Sequence, residues 1–338
     1  MTRASWACPD SKLILPLSVA SSDRGRAEWL KGRGKGIGGS DIAALLEDSP
    51  YEDNTPWFIW KDKVDPLWRE DQEKKVMTRG QKMEPLVVEE FLAEHPELTT
   101  RRQGLHQSRE NPIMLANVDR LTSDGGGLEC KTATSNVIRS WADKFGVGNA
   151  PEHYLDQCRW YQMVTGRSHW WLAILAVDTW DLLVWKVEVT DEQAELMTVV
   201  ATEFWSTYVE LGIEPDPSSW SVQEITTRFP EDDGTTVNYD PDTTEAHQLQ
   251  SAITERREID AEMKALKQRR TEIDNQLRTM AGGHAEIQVG GKKAFTWKAY
   301  TRKSLDGSAL KEKEPEIWNQ FAKTSEGRSL YVSASIFT

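Results

Sequence analysis

The stretch NVDRLTSDGGGLECKTAT, Asn117 to Thr134, leaves this chain few options. A short apolar run, a glycine turn and a second run predict a β-hairpin, because the glycines at Gly125 to Gly127 reach the positive φ angles of a tight reversal at no steric cost. Side chains alternate along a strand, so Glu129 and Lys131 share one face, roughly 7 Å apart at the backbone, while Cys130 points the other way. Asp119 lies near the end of the partner strand, and one turn brings this second carboxylate to the same sheet edge. Crowded carboxylates repel unless a cation lies between them, and Mg²⁺ is satisfied by one or two carboxylates with waters and phosphate oxygens. A lysine beside such an ion orients or helps deprotonate an attacking water, which points to phosphodiester hydrolysis. A lone E-x-K is common, however, and by itself reads as the surface of an ordinary hairpin.

With 338 residues, 38% of them hydrophobic, the chain can bury one sizeable core and a smaller second module. No apolar run approaches the roughly 20 residues of a membrane span, and the opening MTRASWACPDSKLILPLSVA lacks a signal-peptide pattern, so a cytoplasmic protein without a membrane partner is expected. Cys8, Cys130 and Cys158 are widely spaced with no C-x-x-C, which excludes a disulfide framework, a zinc ribbon and a four-cysteine iron–sulfur site. The histidines form no H-x-H or H-E-x-x-H; His153 is the one nearest a motif and reads as structural or as a neighbour of the site. A net charge of −13 argues against the usual basic nucleic-acid binder. That objection weakens if the basic residues gather in one groove while acidic ones coat the outside, since local potential steers a polyanion. The 15 tryptophans read as core and strand filling before base-stacking platforms.

Taken in order, residues 1–25 lack periodicity and read as a loosely packed N-terminal arm. The segment GRGKGIGGSDIAALLEDSPY follows. Its G-x-G-x-x-G (Gly34, Gly36, Gly39) has no strand before it, so dinucleotide binding is a weak reading. Ser40 is a good N-cap for DIAALLED, and with Arg33 and Lys35 upstream the helix start suits a phosphate; a plain capped helix is an equal alternative. RGQKMEPLVVEEFLAEHP predicts an amphipathic helix with Val87, Val88, Phe91 and Leu92 buried, and with Glu84 beside Pro85 in its first turn. Glu84 there either joins Asp119 and Glu129 or complements the helix dipole. After the hairpin, PEHYLDQCRWYQMVTG places Gln157 and Tyr161 on one side of a helix. Two apolar strands and a long amphipathic helix complete an α/β domain over 26–213. Residues 214–244, rich in Pro and Asp, read as an acidic linker. A long helical arm over 245–282 carries Leu249, Ala252, Ile259, Met263, Leu266, Ile273, Leu277 and Met280 at heptad positions, with Arg256 and Arg270 interrupting the seam. Residues 283–338 read as a hairpin, a helix and a last strand (SLYVSA). From His284 onward there are nine Lys/Arg against six Asp/Glu, a basic α+β module on an acidic chain.

IGGSDIAALL with SPY and W-x-x-K, then G-x-x-x-E-P (Gly80 to Pro85), NVDRL, LECKT and Q-x-x-x-Y (Gln157, Tyr161), in this order, resemble the YqaJ-type viral recombinase nucleases. These belong to the PD-(D/E)XK superfamily and are similar to lambda exonuclease and RecE. The resemblance spans about Trp29 to Leu211, with Val118 where the family name has proline; the C-terminal arm and module match more loosely. It implies a PD-(D/E)XK core: a mixed central sheet flanked by helices, α/β in class. It also implies that Asp119 and Glu129 hold Mg²⁺, with Mn²⁺ as a substitute, helped by the Cys130 carbonyl and with Glu84 as a nearby ligand or water anchor. Lys131 would activate the water, Gln157 position water or phosphate, and Tyr161 pack or hydrogen-bond beside it. Arg33 and Ser40, with Lys35 a lesser contributor, fall where such exonucleases grip a terminal 5′-phosphate. The implied substrate is linear double-stranded DNA, degraded 5′ to 3′ to leave a 3′ single strand for an annealing protein, in the cytoplasm of a bacterial host of a phage or prophage. Relatives often form toroidal trimers, and a ring would turn three basic grooves to one channel. A structure-specific endonuclease with the same metal core, or a noncatalytic recombination scaffold, are the alternatives.

Overall fold

The computed structural model describes residues 6–16, 25–69, 75–146, 148–324 and 327–332. They divide into two compact units, Met1–Arg228 and Phe229–Thr338. The first unit runs β1 (Ser11–Leu15), α1 (Gly25–Arg33), α2 (Gly39–Leu45), α3 (Pro56–Val64), α4 (Lys75–Glu94), β2 (Thr100–Arg102), β3 (Leu105–Ser108), β4 (Leu115–Asn117), β5 (Arg120–Thr122) and β6 (Gly127–Ala133). It continues with α5 (Ser135–Phe145), α6 (Glu152–Thr165), β7 (Trp170–Ala176), β8 (Leu182–Val187), α7 (Asp191–Phe204), a π-helical turn over Trp205–Val209, and α8 (Val222–Arg228).

Five strands in the order β2-β5-β6-β7-β8 form the central sheet. Only β6 and β7 run parallel, and the helices α5 and α6 make the crossover that a parallel pair requires. Alternation along β7 feeds two cores: Leu172 and Ile174 meet Trp160 and Val164 of α6, while Ala173 and Leu175 face the other way with Val87, Val88 and Phe91 of α4. The fold is therefore the expected mixed α/β sheet flanked by helices. Cys130 packs on the α4 side, which turns Glu129 and Lys131 towards α6.

A second sheet, β1-β3-β4, corrects two expectations. The N-terminal arm supplies a strand, because β1 pairs antiparallel with β3 through Ser11↔Ser108 and Lys12↔Gln107. The apolar run before Asp119 is not one strand of a simple hairpin either: β4 pairs with β3, and only β5 pairs with β6. The register nevertheless runs unbroken from one sheet into the other, from Gln107↔Leu115 and Leu105↔Asn117 to Arg102↔Arg120 and Thr100↔Thr122. Asp119 sits at the junction.

The three glycines of the turn do different jobs. Gly125 alone has a left-handed φ, +94°, whereas a Cβ on Gly126 would lie 2.4 Å from the His169 ring and one on Gly127 2.2 Å from the Trp170 indole. The reversal needs one positive φ; the other two positions need space.

Two more boundaries in this unit differ from the sequence reading. Helix α4 starts at Lys75, so Pro85 lies inside it rather than in its first turn. The lost backbone hydrogen bond is offset by packing Val87, Val88 and Phe91, all at most 8% exposed, onto the sheet. The stretch read as an acidic linker carries α8: Ser221 Oγ accepts from the Glu224 N–H at 2.9 Å, a cap hidden among loop-forming residues, and Glu224 is fully buried against Thr55 and Arg228.

The second unit holds α9 (Thr244–Ala281), the antiparallel hairpin β9 (Glu286–Val289) and β10 (Lys292–Thr296), α10 (Gly307–Lys313) and α11 (Pro315–Phe321). Thr243 Oγ1 caps α9 through the Ala246 N–H, and Gly290 and Gly291, both with positive φ, close the hairpin. The segment read as a last strand has no regular structure as far as residue 332, and the rest of it lies outside the described residues. Among the described residues no helix is long and apolar enough to cross a membrane.

Candidate active site

One cleft of about 470 Å³ in the first unit is lined by Arg33, Ser40, Glu84, Asp119, Glu129, Cys130, Lys131, Gln157 and Tyr161. It thus gathers most of the residues singled out from sequence, drawn from α1, α2, α4, α6, β6 and the β4–β5 junction. Lys35 lies outside this lining.

At the carboxylate end the side chains interlock. Lys131 Nζ is 2.6 Å from Glu129 Oε1 and donates to Gln157 Oε1 at 3.1 Å. Gln157 Nε2 in turn donates to Glu129 Oε1 and to the Tyr161 hydroxyl, both at 2.8 Å. Asp119 Oδ2 accepts from the Cys130 N–H at 3.1 Å, which ties the β4–β5 junction to β6. Burial, reinforced by Glu129, pushes the Asp119 carboxyl up to about 7. Burial alone would lower the Lys131 ammonium, but Glu129 overrules it and the lysine stays protonated. The Tyr161 hydroxyl, deeply buried beside Glu129, is held well above the ordinary phenol range, so it acts as a neutral hydrogen-bonding group.

This end fits a hard divalent cation. Glu129 Oε2 is buried with no hydrogen-bond partner among the described residues, and Asp119 carries a carboxylate that is costly to ionise beside Glu129. An ion contacting both would relieve the repulsion and supply the missing partner. The donors are two carboxylates, since among the described residues no three His, Cys, Asp or Glu side chains converge.

Glu84 does not complement a helix terminus. It projects from the interior of α4 and pairs with Arg120, with Arg102 at 3.8 Å. Arg102 and Arg120 are opposite each other in the β2–β5 ladder, so Glu84 separates two like charges that would otherwise repel. Burial and then Asp119 raise its pKa, which marks Glu84 as a close electrostatic neighbour of Asp119 even while it is paired.

At the other end the cap of α2 is Gly38 rather than Ser40, and Asp41 at the third helical position accepts from the Gly38 N–H at 2.8 Å. Ser40, two positions further into the helix than expected, receives Arg33 Nη2 at 3.4 Å. Asp41 lies between Arg33 (3.4 Å) and Lys63 (2.6 Å). Its burial would raise its pKa, yet Lys63 and Arg33 hold it below the usual carboxylate value. Two cations and one anion leave one net positive charge, with Arg33, 28% exposed at its side chain, on the open side and its guanidinium over the Trp29 ring.

Sequence reasoning gives no role to Trp29, Asp41, Lys63, Tyr51, Asn54 or Tyr154. Asn54 Nδ2 donates to the Ser40 carbonyl at 2.9 Å and pins the start of α2. The Tyr51 and Tyr154 hydroxyls meet at 3.1 Å, and the Tyr154 ring lies 5.1 Å from Lys131 Nζ. Tyr51 and Lys63 belong to SPY and W-x-x-K, so their positions carry a signal, but the partners that give them meaning are distant in sequence. His153 lines the same cleft, edge-on to Tyr51, and burial lowers its pKa to about 4, so it is neutral.

Residues 28–168 match the family described as the YqaJ-like viral recombinase domain. The chain is 27% identical over 312 residues, 91% of its length and 94% of the relative's, to the uncharacterized protein YqaJ of Bacillus subtilis (strain 168). Two solved structures are similar at lower level. The crystal structure of LHK-Exo in complex with dAMP matches with 18% identity and a TM-score of 0.47, over 55% of this chain and 94% of the other. That of the alkaline exonuclease LHK-Exo from Laribacter hongkongensis gives 17%, 0.44, and the same coverage.

Proposed function

We propose, from a chain whose residues 28–168 form a YqaJ-like viral recombinase domain, that this protein is a divalent-metal-dependent exonuclease acting on the ends of linear double-stranded DNA. One observation carries the reading: a single cleft joins an acid–lysine–amide cluster built on the buried Glu129 and Gln157 to an arginine, a serine hydroxyl and one net positive charge. The first arrangement suits hydrolysis of a phosphodiester; the second suits a terminal phosphate, which carries more negative charge than an internal diester.

Asp119 and Glu129 would hold Mg²⁺ or Mn²⁺, with the Cys130 carbonyl as a further oxygen and Glu84 as a ligand or water anchor once released from Arg120. Bound there, the ion would polarise the scissile phosphate and lower the pKa of an attacking water. Lys131 orients that water and handles its proton. Its pairing with Glu129 keeps the ammonium charged until the carboxylate's charge is engaged elsewhere. Gln157, donating to Glu129 and accepting from Lys131, fixes both side chains, and Tyr161 fixes the amide. Arg33 and Ser40 grip the 5′-phosphate, with Lys35 adding long-range attraction.

Resection would run 5′ to 3′ and leave a 3′ single strand for an annealing protein, in the bacterial cytoplasm, with a trimeric ring as the assembly. In this reading 26–213 is the nuclease domain, and the helical arm and basic module assist DNA or partner engagement. The test compares 5′-phosphorylated linear, 5′-hydroxyl linear and closed circular duplex, with and without Mg²⁺. Cleavage of linear DNA alone, dependent on Mg²⁺ and faster by roughly tenfold on phosphorylated ends, is expected, because charge-assisted contacts contribute about 1.5 to 3 kcal/mol each. Arg33→Ala should erase most of that preference. Equal cleavage of circles would indicate an endonuclease, and no Mg²⁺-dependent cleavage a scaffold.

A further inference from the structure

Helix α9 is 38 residues long, and its large apolar heptad residues from Leu249 to Met280 are between 38% and 72% exposed. Seven-residue spacing sustained over this length is the pattern of a coiled-coil seam, in which each residue at the first and fourth heptad positions fills a hole on a facing helix. The seam carries two arginines, Arg256 and Arg270, and charged residues flank it: Glu255, Glu262 and Arg269 on one side, Asp260, Lys267 and Asp274 on the other.

We propose that α9 pairs antiparallel with α9 of a second copy of this chain, the two helices crossing at Met263 and Leu266. The charges select this occupant and this direction. In the antiparallel register that uses the whole stripe, Leu249 meets Met280 and Met263 meets Leu266. Each arginine meets an isoleucine, Arg256 opposite Ile273 and Arg270 opposite Ile259, with its head free to reach solvent. Along the flanks Glu262 then lies beside Arg269 of the other copy and Asp260 beside Lys267, each twice by symmetry, and every one of these pairs is attractive. A parallel pair would also bring Glu262 to Lys267 and Arg269 to Asp274, but it would set each arginine against its own counterpart in the seam and Glu255 against Asp260, repulsions that the antiparallel pair lacks. Within one chain Arg269 contacts its neighbour one turn on, Glu272, at 3.1 Å, and with its side chain 66% exposed it is open to a facing carboxylate as well.

An antiparallel pair is two-fold, so it joins copies of two different rings rather than neighbours within one; it is separate from the chemistry of the cleft and testable in the full-length chain. Arg269→Glu turns both Glu262–Arg269 contacts repulsive and should weaken self-association, followed by sedimentation against wild type, by roughly tenfold or more. The charge swap E262R/R269E should restore it, since an antiparallel pair regains both contacts. In a parallel pair the same double swap would set a base against Lys267 and an acid against Asp274, and association would fall further. Circular dichroism reports whether α9 stays helical in each variant. Disulfide trapping reads the helix independently of any other contact between copies: a chain with Leu249→Cys mixed with one carrying Met280→Cys should cross-link at those two positions, as mapped by mass spectrometry, and neither should cross-link efficiently to itself there. Self-linking at 249 or at 280 would overturn the antiparallel direction. No link at either position, or a double swap that stays as weak as Arg269→Glu, would overturn self-pairing of α9.

Discussion

Helices α4 and α9 both carry an apolar stripe, yet they end in opposite environments. In α4 the residues Val87, Val88 and Phe91 are 0% to 8% exposed, because β6 and β7 offer a face of matching alternation, Leu128, Ala173 and Leu175, only a few dozen residues along the chain. In α9 the large apolar stripe residues stay at 38% or more, and among the described residues the unit around it contributes only a two-stranded hairpin and two short helices. Periodicity therefore states that a helix has a face to cover; the cover itself is written in other elements, and for α9 it is not among the described elements of its own unit. The buried exceptions divide the same way. In the first unit the charged residues inside are Asp41, Lys63, Glu129 and Arg120, all at or near the cleft, together with Asp156, Arg167 and Glu224 elsewhere in the unit, whereas α9 buries no charge among its described residues.

The largest effect that would sharpen this contrast is expected from Lys131→Ala. If the charges gathered around the cleft serve chemistry, Mg²⁺-dependent hydrolysis of linear duplex should fall on the order of 10³-fold while the circular dichroism spectrum and cooperative melting persist. Turnover within a few fold of wild type would remove Lys131 from the reaction.

A paired substitution addresses the two stripes directly. Phe91→Ala should destabilise the first unit by about 3–5 kcal/mol, the usual result of emptying a packed core site. Leu266→Ala, measured at a dilution where copies are apart, should change stability by no more than about 0.5 kcal/mol. Comparable losses at both positions in chemical denaturation would mean that α9 is covered within its own chain.

The smallest effect concerns Asp119. Its folded pKa of about 7 lies above the unfolded value of about 3.9, so the native state holds a proton that the unfolded state releases as pH rises between the two. The metal-free wild type thus loses stability from about pH 4 to 7 and remains at that deficit above it. Asp119→Asn, neutral throughout, should be more stable at pH 8 in chelator by about 2 kcal/mol, half of the roughly 4 kcal/mol of three pKa units because solvent screens the half-buried carboxylate, with the gain vanishing near pH 4. An equal or lower melting temperature at pH 8 would argue against crowding of Asp119 with Glu129.

Much of the cleft is legible in the sequence because Glu129 and Lys131 lie on one strand, where alternation alone puts them on one face, and Asp119 is only one glycine turn away along the chain. Gln157 and Tyr161 are legible for the same kind of reason, one helical turn apart. What stays hidden depends on distant partners. The cap of α2 passes from Ser40 to Gly38 and Asp41 because Lys63, from the next helix, compensates the buried carboxylate. Glu84 is misplaced by local reading because Pro85 signals a helix start, and nothing nearby announces that sheet packing will carry the helix through it. The strand β1 escapes notice since its pattern, with only Ser11 fully buried, has no alternation to read.

The unbroken register between β2–β3 and β4–β5 bears on what this site can tolerate over evolutionary time. Because the same ladder is pinned at Leu105↔Asn117 on one side of Asp119 and at Arg102↔Arg120 on the other, the side chain's place is set by chain length rather than by the identity of its neighbours. A different apolar residue at Val118 leaves the count intact, because the pairing on either side is set by backbone register. Gaining or losing a single residue between Asn117 and Arg120 would swing Asp119 to the opposite face of the ribbon. At Val118 composition can therefore change where spacing cannot.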